Sequence, residues 1–189
     1  MSLTKQKEAK AASVQQEKTD MELPERKHPR LKDYDYSSSG YYHIVINTQD
    51  NLPILSGVGR GLAPAEEITV HLSSIGKIAE KQLYELKERF PYVEIDNYAI
   101  MPNHIHAIII LKEDETAGAS PRPTVPDIIC AYKSLVTRLA NKADNTPGRK
   151  IFQTSFFDSV IRNDKNYLEA LRYIDENPLK HHLKKNKLL

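Results

Sequence analysis

Apolar and polar residues alternate with period two over Tyr41 to Thr48. That predicts a strand with Tyr42, Ile44 and Ile46 on one face and Tyr41, His43 and Val45 on the other. Asn51 to Glu67 carries Gly57, Gly59, Gly61 and Pro64, so a loop is expected there, followed by a short strand at Ile68–Leu72. Leu72, Ile75, Ala79, Leu83, Leu86 and Phe90 then recur at helical spacing until Pro91 stops the run. Tyr92 to Ile100 predicts a second long strand. Met101-Pro102-Asn103 turns the chain, and His104 to Leu111 returns as its hairpin partner. Glu113 to Thr124, polar and containing Gly118, Pro121 and Pro123, is expected to be a loop. Pro126 suits the first turn of a helix whose apolar stripe is Ile128, Tyr132, Leu135, Val136 and Leu139. A short strand over Phe156 to Arg162 precedes a last helix, capped by Asn163 or Asp164. It should end near Asn177, because Pro178 disfavours helical geometry in the residue before it.

This order is that of an α+β ferredoxin-like sandwich: an antiparallel sheet with two helices on one face, plus a C-terminal helix. The other face of the sheet is left for a site. Residues 1–30 are charged and lack sustained periodicity, which predicts a flexible arm. The domain then spans 31–182, and 183–189 forms a basic tail.

Length and composition narrow the class. A chain of 189 residues, 40% hydrophobic and 28% charged, supports one soluble globular domain. No apolar run approaches the roughly 20 residues of a membrane helix, and the residues after Met1 are too polar for a secretion signal. Cys130 has no partner cysteine, which points to a reducing cytoplasm, and its place in a helical pattern suggests inert packing. The net charge of +2 says little, but basic residues gather at Arg26, Lys27, Arg30 and Lys32 and again at Lys180, Lys184, Lys185 and Lys187. Such clusters suit phosphate contacts and equally suit the solvated ends of a soluble protein.

The chemistry-bearing pattern is the pair His104 and His106. Two apart on a strand, both rings leave one face, with Cα atoms roughly 6.5–7 Å apart. Two imidazoles so placed can serve one metal ion or fill structural positions. A histidine-triad hydrolase needs a third His where Ile108 stands, and a two-His phosphoesterase needs two separated His-x-Ser/Thr motifs. An amidohydrolase barrel needs about 250 residues, and a structural zinc site would normally bring cysteines. The pattern that remains, a hydrophobic residue between two histidines on a strand, is that of the HUH nucleases.

Such a site needs a tyrosine, and the chain has ten. On the last helix Tyr173 and Asn177 are four apart, hence neighbours on one face, at the border of the stripe Tyr167, Ala170, Leu171 and Ile174. They can be a nucleophile with an amide donor, or a boundary aromatic with a helix cap. Tyr132 lies within an apolar stripe, and four residues on stands Val136, which cannot bind metal. We read Tyr132 as core.

Four segments resemble one family: Tyr-Ala-Ile-Met-Pro-Asn-His-Ile-His (98–106), Ala-Tyr-Lys-Ser (131–134), Phe-Phe-Asp-Ser-Val-Ile-Arg-Asn (156–163) and Tyr-Ile-Asp-Glu-Asn-Pro-Leu-Lys (173–180). They are similar to the single-tyrosine HUH transposases, in particular the REP-associated tyrosine transposases, and the likeness runs from about Arg26 to Lys180. The resemblance implies Mg²⁺- or Mn²⁺-dependent cutting and rejoining of single-stranded DNA, often beside a hairpin or palindromic repeat, by a monomer or a homodimer. It implies His104 and His106 as metal ligands, Asn177 as the third, and Tyr173 as nucleophile. A domesticated hairpin-binding relative without cleavage and a replication-initiator type are the alternatives. Position 159 is Ser where relatives often carry His, and 152 is Phe where they often carry Trp. For a DNA partner, Arg26, Arg30, Lys133, Arg138 and Arg162 are the expected phosphate contacts. Lys133 and Arg138 should face solvent, because they lie off the apolar stripe.

Overall fold

The computed structural model describes residues 30–60, 68–113 and 122–185. The alternation read from the sequence becomes β1, Gly40–Asn47, in which Tyr42, Ile44 and Ile46 are buried while Tyr41 is exposed. β1 is central in an antiparallel sheet. It pairs with β5 (His104–Leu111) on one side and β6 (Phe157–Ile161) on the other, and β5 pairs with β4 (Val93–Ile100). The spatial order β4-β5-β1-β6 is the ferredoxin-like one expected.

Helices α1 (Ser74–Tyr84) and α3 (Val125–Ala143) cover one face, with a short α2 (Leu86–Arg89) between them in sequence. Ser73 caps α1 through its hydroxyl, and Thr124 with Asp127 forms a capping box on α3. The core there joins Ile44, Ile105 and Ile109 of the sheet to Ala79, Ile128 and Tyr132 of the helices. Glu85 ends α1 and starts α2, so the single helical run expected up to Phe90 is broken in two.

Three further departures follow. The stretch expected as a loop contains β2 (Ser56–Arg60), which pairs with β3 (Ile68–Leu72) in a separate two-stranded sheet. Two glycines had masked that strand's pattern. Cys130, expected to pack inertly, is exposed. The last helix, α4, runs from Asp164 to Lys185 straight through Pro178, instead of ending near Asn177. A proline inside a helix costs roughly 3 kcal/mol. Packing offsets that: Ile174 and His182 are buried on either side of Pro178.

α4 lies on the face of the sheet opposite α1 and α3. Ala170 and Ile174 pack there on Ile108. A β-bulge between Ile95 and Asn97 re-aims β4 toward it. The Tyr167 hydroxyl donates to Asp96, and the Asn97 amide donates to Asp175. These bonds fix which side of α4 meets the strands.

Candidate metal and tyrosine site

The turn 101–103 is held from two directions, which positions the residue that follows it. Thr48 donates through its N–H and its hydroxyl to the Asn103 carbonyl, and Leu55 N–H donates to the Pro102 carbonyl. With its backbone fixed, Asn103 has its side-chain oxygen 2.8 Å from His104 Nδ1. That nitrogen donates, so the His104 proton sits on Nδ1 and the Nε2 lone pair remains for a ligand.

His106 follows on the same face and is nearly buried, 3% exposed. Its ring stands perpendicular to that of His104, with centroids 4.7 Å apart. Its Nδ1 lies 3.2 Å from Nε2 of His43, on the neighbouring strand β1, and the two rings lie edge to edge with centroids 5.4 Å apart. Its Nε2 is buried and has no hydrogen-bond partner. Burial, and then the neighbouring His104 and His43, push the His106 pKa down to about 3. Burial also lowers His43, while burial and His181 lower His104. All three imidazoles are therefore held neutral, the form that binds metal.

α4 brings the other two groups. The Tyr173 ring stands edge-on to His106 at 5.2 Å and to His43 at 6.2 Å, yet the residue is 47% exposed. One turn on is Asn177, whose Nδ2 is buried without a partner. One further turn on is His181, near enough to bear on the charge of His104. Tyr173 beside His106 and His181 toward His104 bracket Asn177 along the histidine pair. Rotating its amide would present the oxygen where the nitrogen now stands.

Among the described residues no group of three His, Cys, Asp or Glu side chains is arranged to hold a metal ion. The amide group that α4 brings near the histidine pair is that of Asn177. Two imidazoles and an amide oxygen, with buried orphan atoms on His106 and Asn177, fit a divalent cation such as Mg²⁺ or Mn²⁺.

No protein-family model matches the chain. An uncharacterized protein of Haemophilus influenzae is 28% identical over 169 residues, 82% of this chain and 88% of that one. Among solved structures, the REP-associated tyrosine transposase bound to a REP hairpin superimposes with a TM-score of 0.52. The match covers 80% of this chain and 73% of the transposase, at 20% identity. The chain has the tyrosine-transposase fold.

Within that fold the expected basic residues separate. Arg26 lies outside the described residues. Arg30 pairs with the buried carboxylate of Asp158 at 3.8 Å and covers the Phe156 ring at 4.7 Å. With Ser159, Arg162 and Asn166, Arg30 lines a hollow of about 390 Å³. Ser159 and Asn166 also line the next hollow, where His43 and Tyr173 stand. Arg30 and Arg162 thus border the approach to the tyrosine. Arg138 is exposed on α3, across the sheet from the histidines. Lys133 was expected to face solvent and does not: it is buried, and its amine donates to the carbonyls of Thr154 and Ser155. It anchors the loop that leads into β6.

Tyr132 is fully buried, and its hydroxyl donates to the Ala79 carbonyl. His43 is the residue that sequence reasoning passed over, although strand alternation had put it on the right face. No described helix of the transposase-like fold is long and apolar enough to cross a membrane.

Proposed function

We propose that this chain is a transposase-type, metal-dependent single-stranded DNA endonuclease and strand transferase of the single-tyrosine HUH kind. The observation that carries this reading is the half-exposed Tyr173 standing edge-on to His106 within one chain, with partnerless buried atoms on His106 and Asn177. His104, His106 and Asn177 would hold Mg²⁺ or Mn²⁺. When bound, the ion supplies charge neutralisation and alignment at a scissile phosphate.

The chain's own part is nucleophilic. Phenols ionise near pH 10, so deprotonation at pH 7 costs about 4 kcal/mol, which a cationic site lowers. The Tyr173 oxygen attacks phosphorus, the bond from phosphorus to the 3′ oxygen breaks, and that oxygen takes up a proton. The 5′ phosphate stays on the tyrosine. One ester has replaced another, so a second 3′-hydroxyl can reverse the step and join strands. All four groups would come from one chain, so this reading calls for no second copy.

Hairpin or palindromic single-stranded DNA is the substrate we propose, because the transposase of like fold is bound to a REP hairpin. Arg30 and Arg162 border the way in. The test is to incubate the protein with hairpin-flanked single-stranded DNA and Mn²⁺ and to run denaturing gels. A covalent adduct is expected with wild type and none with Tyr173→Phe. Hairpin binding without an adduct in wild type would favour the binding-only relative.

A further inference from the structure

Each metal-facing imidazole needs its remote nitrogen occupied by a partner that keeps the proton there, since a ring that carries its proton on the ligating nitrogen cannot bind. For His104 that partner is the adjacent Asn103 side chain. His106 has no such neighbour in sequence. Its Nδ1 meets Nε2 of His43, 63 residues away on β1, at 3.2 Å. The rings meet edge to edge, with centroids 5.4 Å apart and planes 25° from parallel, as an N–H···N hydrogen bond between them requires. His43 is itself held in place: Ser159 is its cross-strand partner on β6, and the Tyr173 ring meets its edge.

We propose that His43 is a positioning residue for the metal site: its Nε2 accepts from His106 Nδ1–H, leaving the buried Nε2 of His106 as a lone-pair donor. The inference rests on the function proposed above. It adds a residue that touches neither the ion nor the DNA phosphate and acts through its neighbour. His43 in turn must carry its own proton on Nδ1. The strand order makes this possible, because β1 lies beside β5 and Val45 pairs with His106, which puts His43 two residues along on the same face.

The test compares two substitutions. His43→Gln keeps an acceptor of similar reach, whereas His43→Phe keeps a planar ring and removes the acceptor. In metal-free protein, ring ¹⁵N shifts should report His106 as the Nδ1–H form in wild type and His43→Gln, and as a mixture or the Nε2–H form in His43→Phe. Mn²⁺ affinity by calorimetry should fall about 10- to 100-fold in His43→Phe and recover at least in part in His43→Gln. A wild-type His106 found as Nε2–H, or a His43→Phe that binds Mn²⁺ as tightly as wild type, overturns the assignment. Wild-type protein that takes up no Mn²⁺ overturns the metal reading instead, and the ring shifts of the metal-free protein still decide whether His43 holds the tautomer.

Discussion

On β5, Ile105, Ala107 and Ile109 point into a core closed by α1 and α3, while His104 and His106, one residue out of step, point toward α4. The apolar face is mostly hydrocarbon, and Tyr132 is sealed there with its hydroxyl on the Ala79 carbonyl. The α4 face buries polar atoms and leaves some unanswered, on His106 and Asn177. Each such atom costs about 1–3 kcal/mol. One face of the sheet makes the fold stable, and the other uses some of that stability to hold open donors in place.

Neighbours on one strand can break this comparison. Ile109→Ala empties a fully buried site on the apolar face and should cost about 3–4 kcal/mol, read from urea denaturation. His106→Ala, three residues away, removes one unsatisfied ring nitrogen together with one hydrogen bond to His43; the two effects oppose each other, and stability should change by less than about 1 kcal/mol. Equal losses in the two variants would mean that the histidine face is structural.

The next effect in size belongs to the metal. His104→Ala should weaken Mn²⁺ binding by at least about 100-fold, or about 2.7 kcal/mol, with melting temperature nearly unchanged in metal-free protein. Affinity retained in this variant would move the ion away from the strand pair.

The apolar face was legible in the sequence because period-two and period-3.6 patterns are the direct imprint of burial: Tyr42/Ile44/Ile46 and Ile128/Tyr132/Val136 fell where expected. The histidine pair was legible for the same reason. The partners were not. His43 meets His106 across 63 residues of chain, and only the sheet order β5-β1 joins them. Lys133 looked solvent-facing because helical spacing describes the helix and not the loop that folds over it. Pro178 misled because a local preference of a few kcal/mol gave way to packing on both sides of it. The strand Ser56–Arg60, with two glycines in five residues, has too little side-chain pattern to read.

A smaller effect separates the two tyrosines. Tyr132→Phe removes the buried hydrogen bond from the hydroxyl to the Ala79 carbonyl and should cost about 1.5 kcal/mol, measured by denaturant midpoint. The folded variant should still form the DNA adduct at the wild-type rate. Loss of the adduct in folded Tyr132→Phe, with retention in Tyr173→Phe, would reverse the assignment of the two faces.

The smallest effect asks where DNA runs, and two exposed arginines on opposite faces make the comparison clean. Arg162 follows β6 and lines the hollow that adjoins Tyr173, while Arg138 sits on α3 across the sheet. On the proposed reading, a strand whose phosphate reaches Tyr173 would pass Arg162 and have no reason to reach Arg138. Arg162→Glu should therefore weaken binding of a single-stranded hairpin substrate roughly fivefold, about 1 kcal/mol, and reduce the slope of log affinity against log salt by about one phosphate's worth. Arg138→Glu should move affinity by less than about twofold, because its charge acts only through long-range potential that physiological salt screens within about 8 Å. Fluorescence anisotropy over a salt series reads both quantities. If the two variants lose affinity and slope equally, DNA contacts are spread over both faces, and the division of labour drawn from β5 does not extend to the substrate.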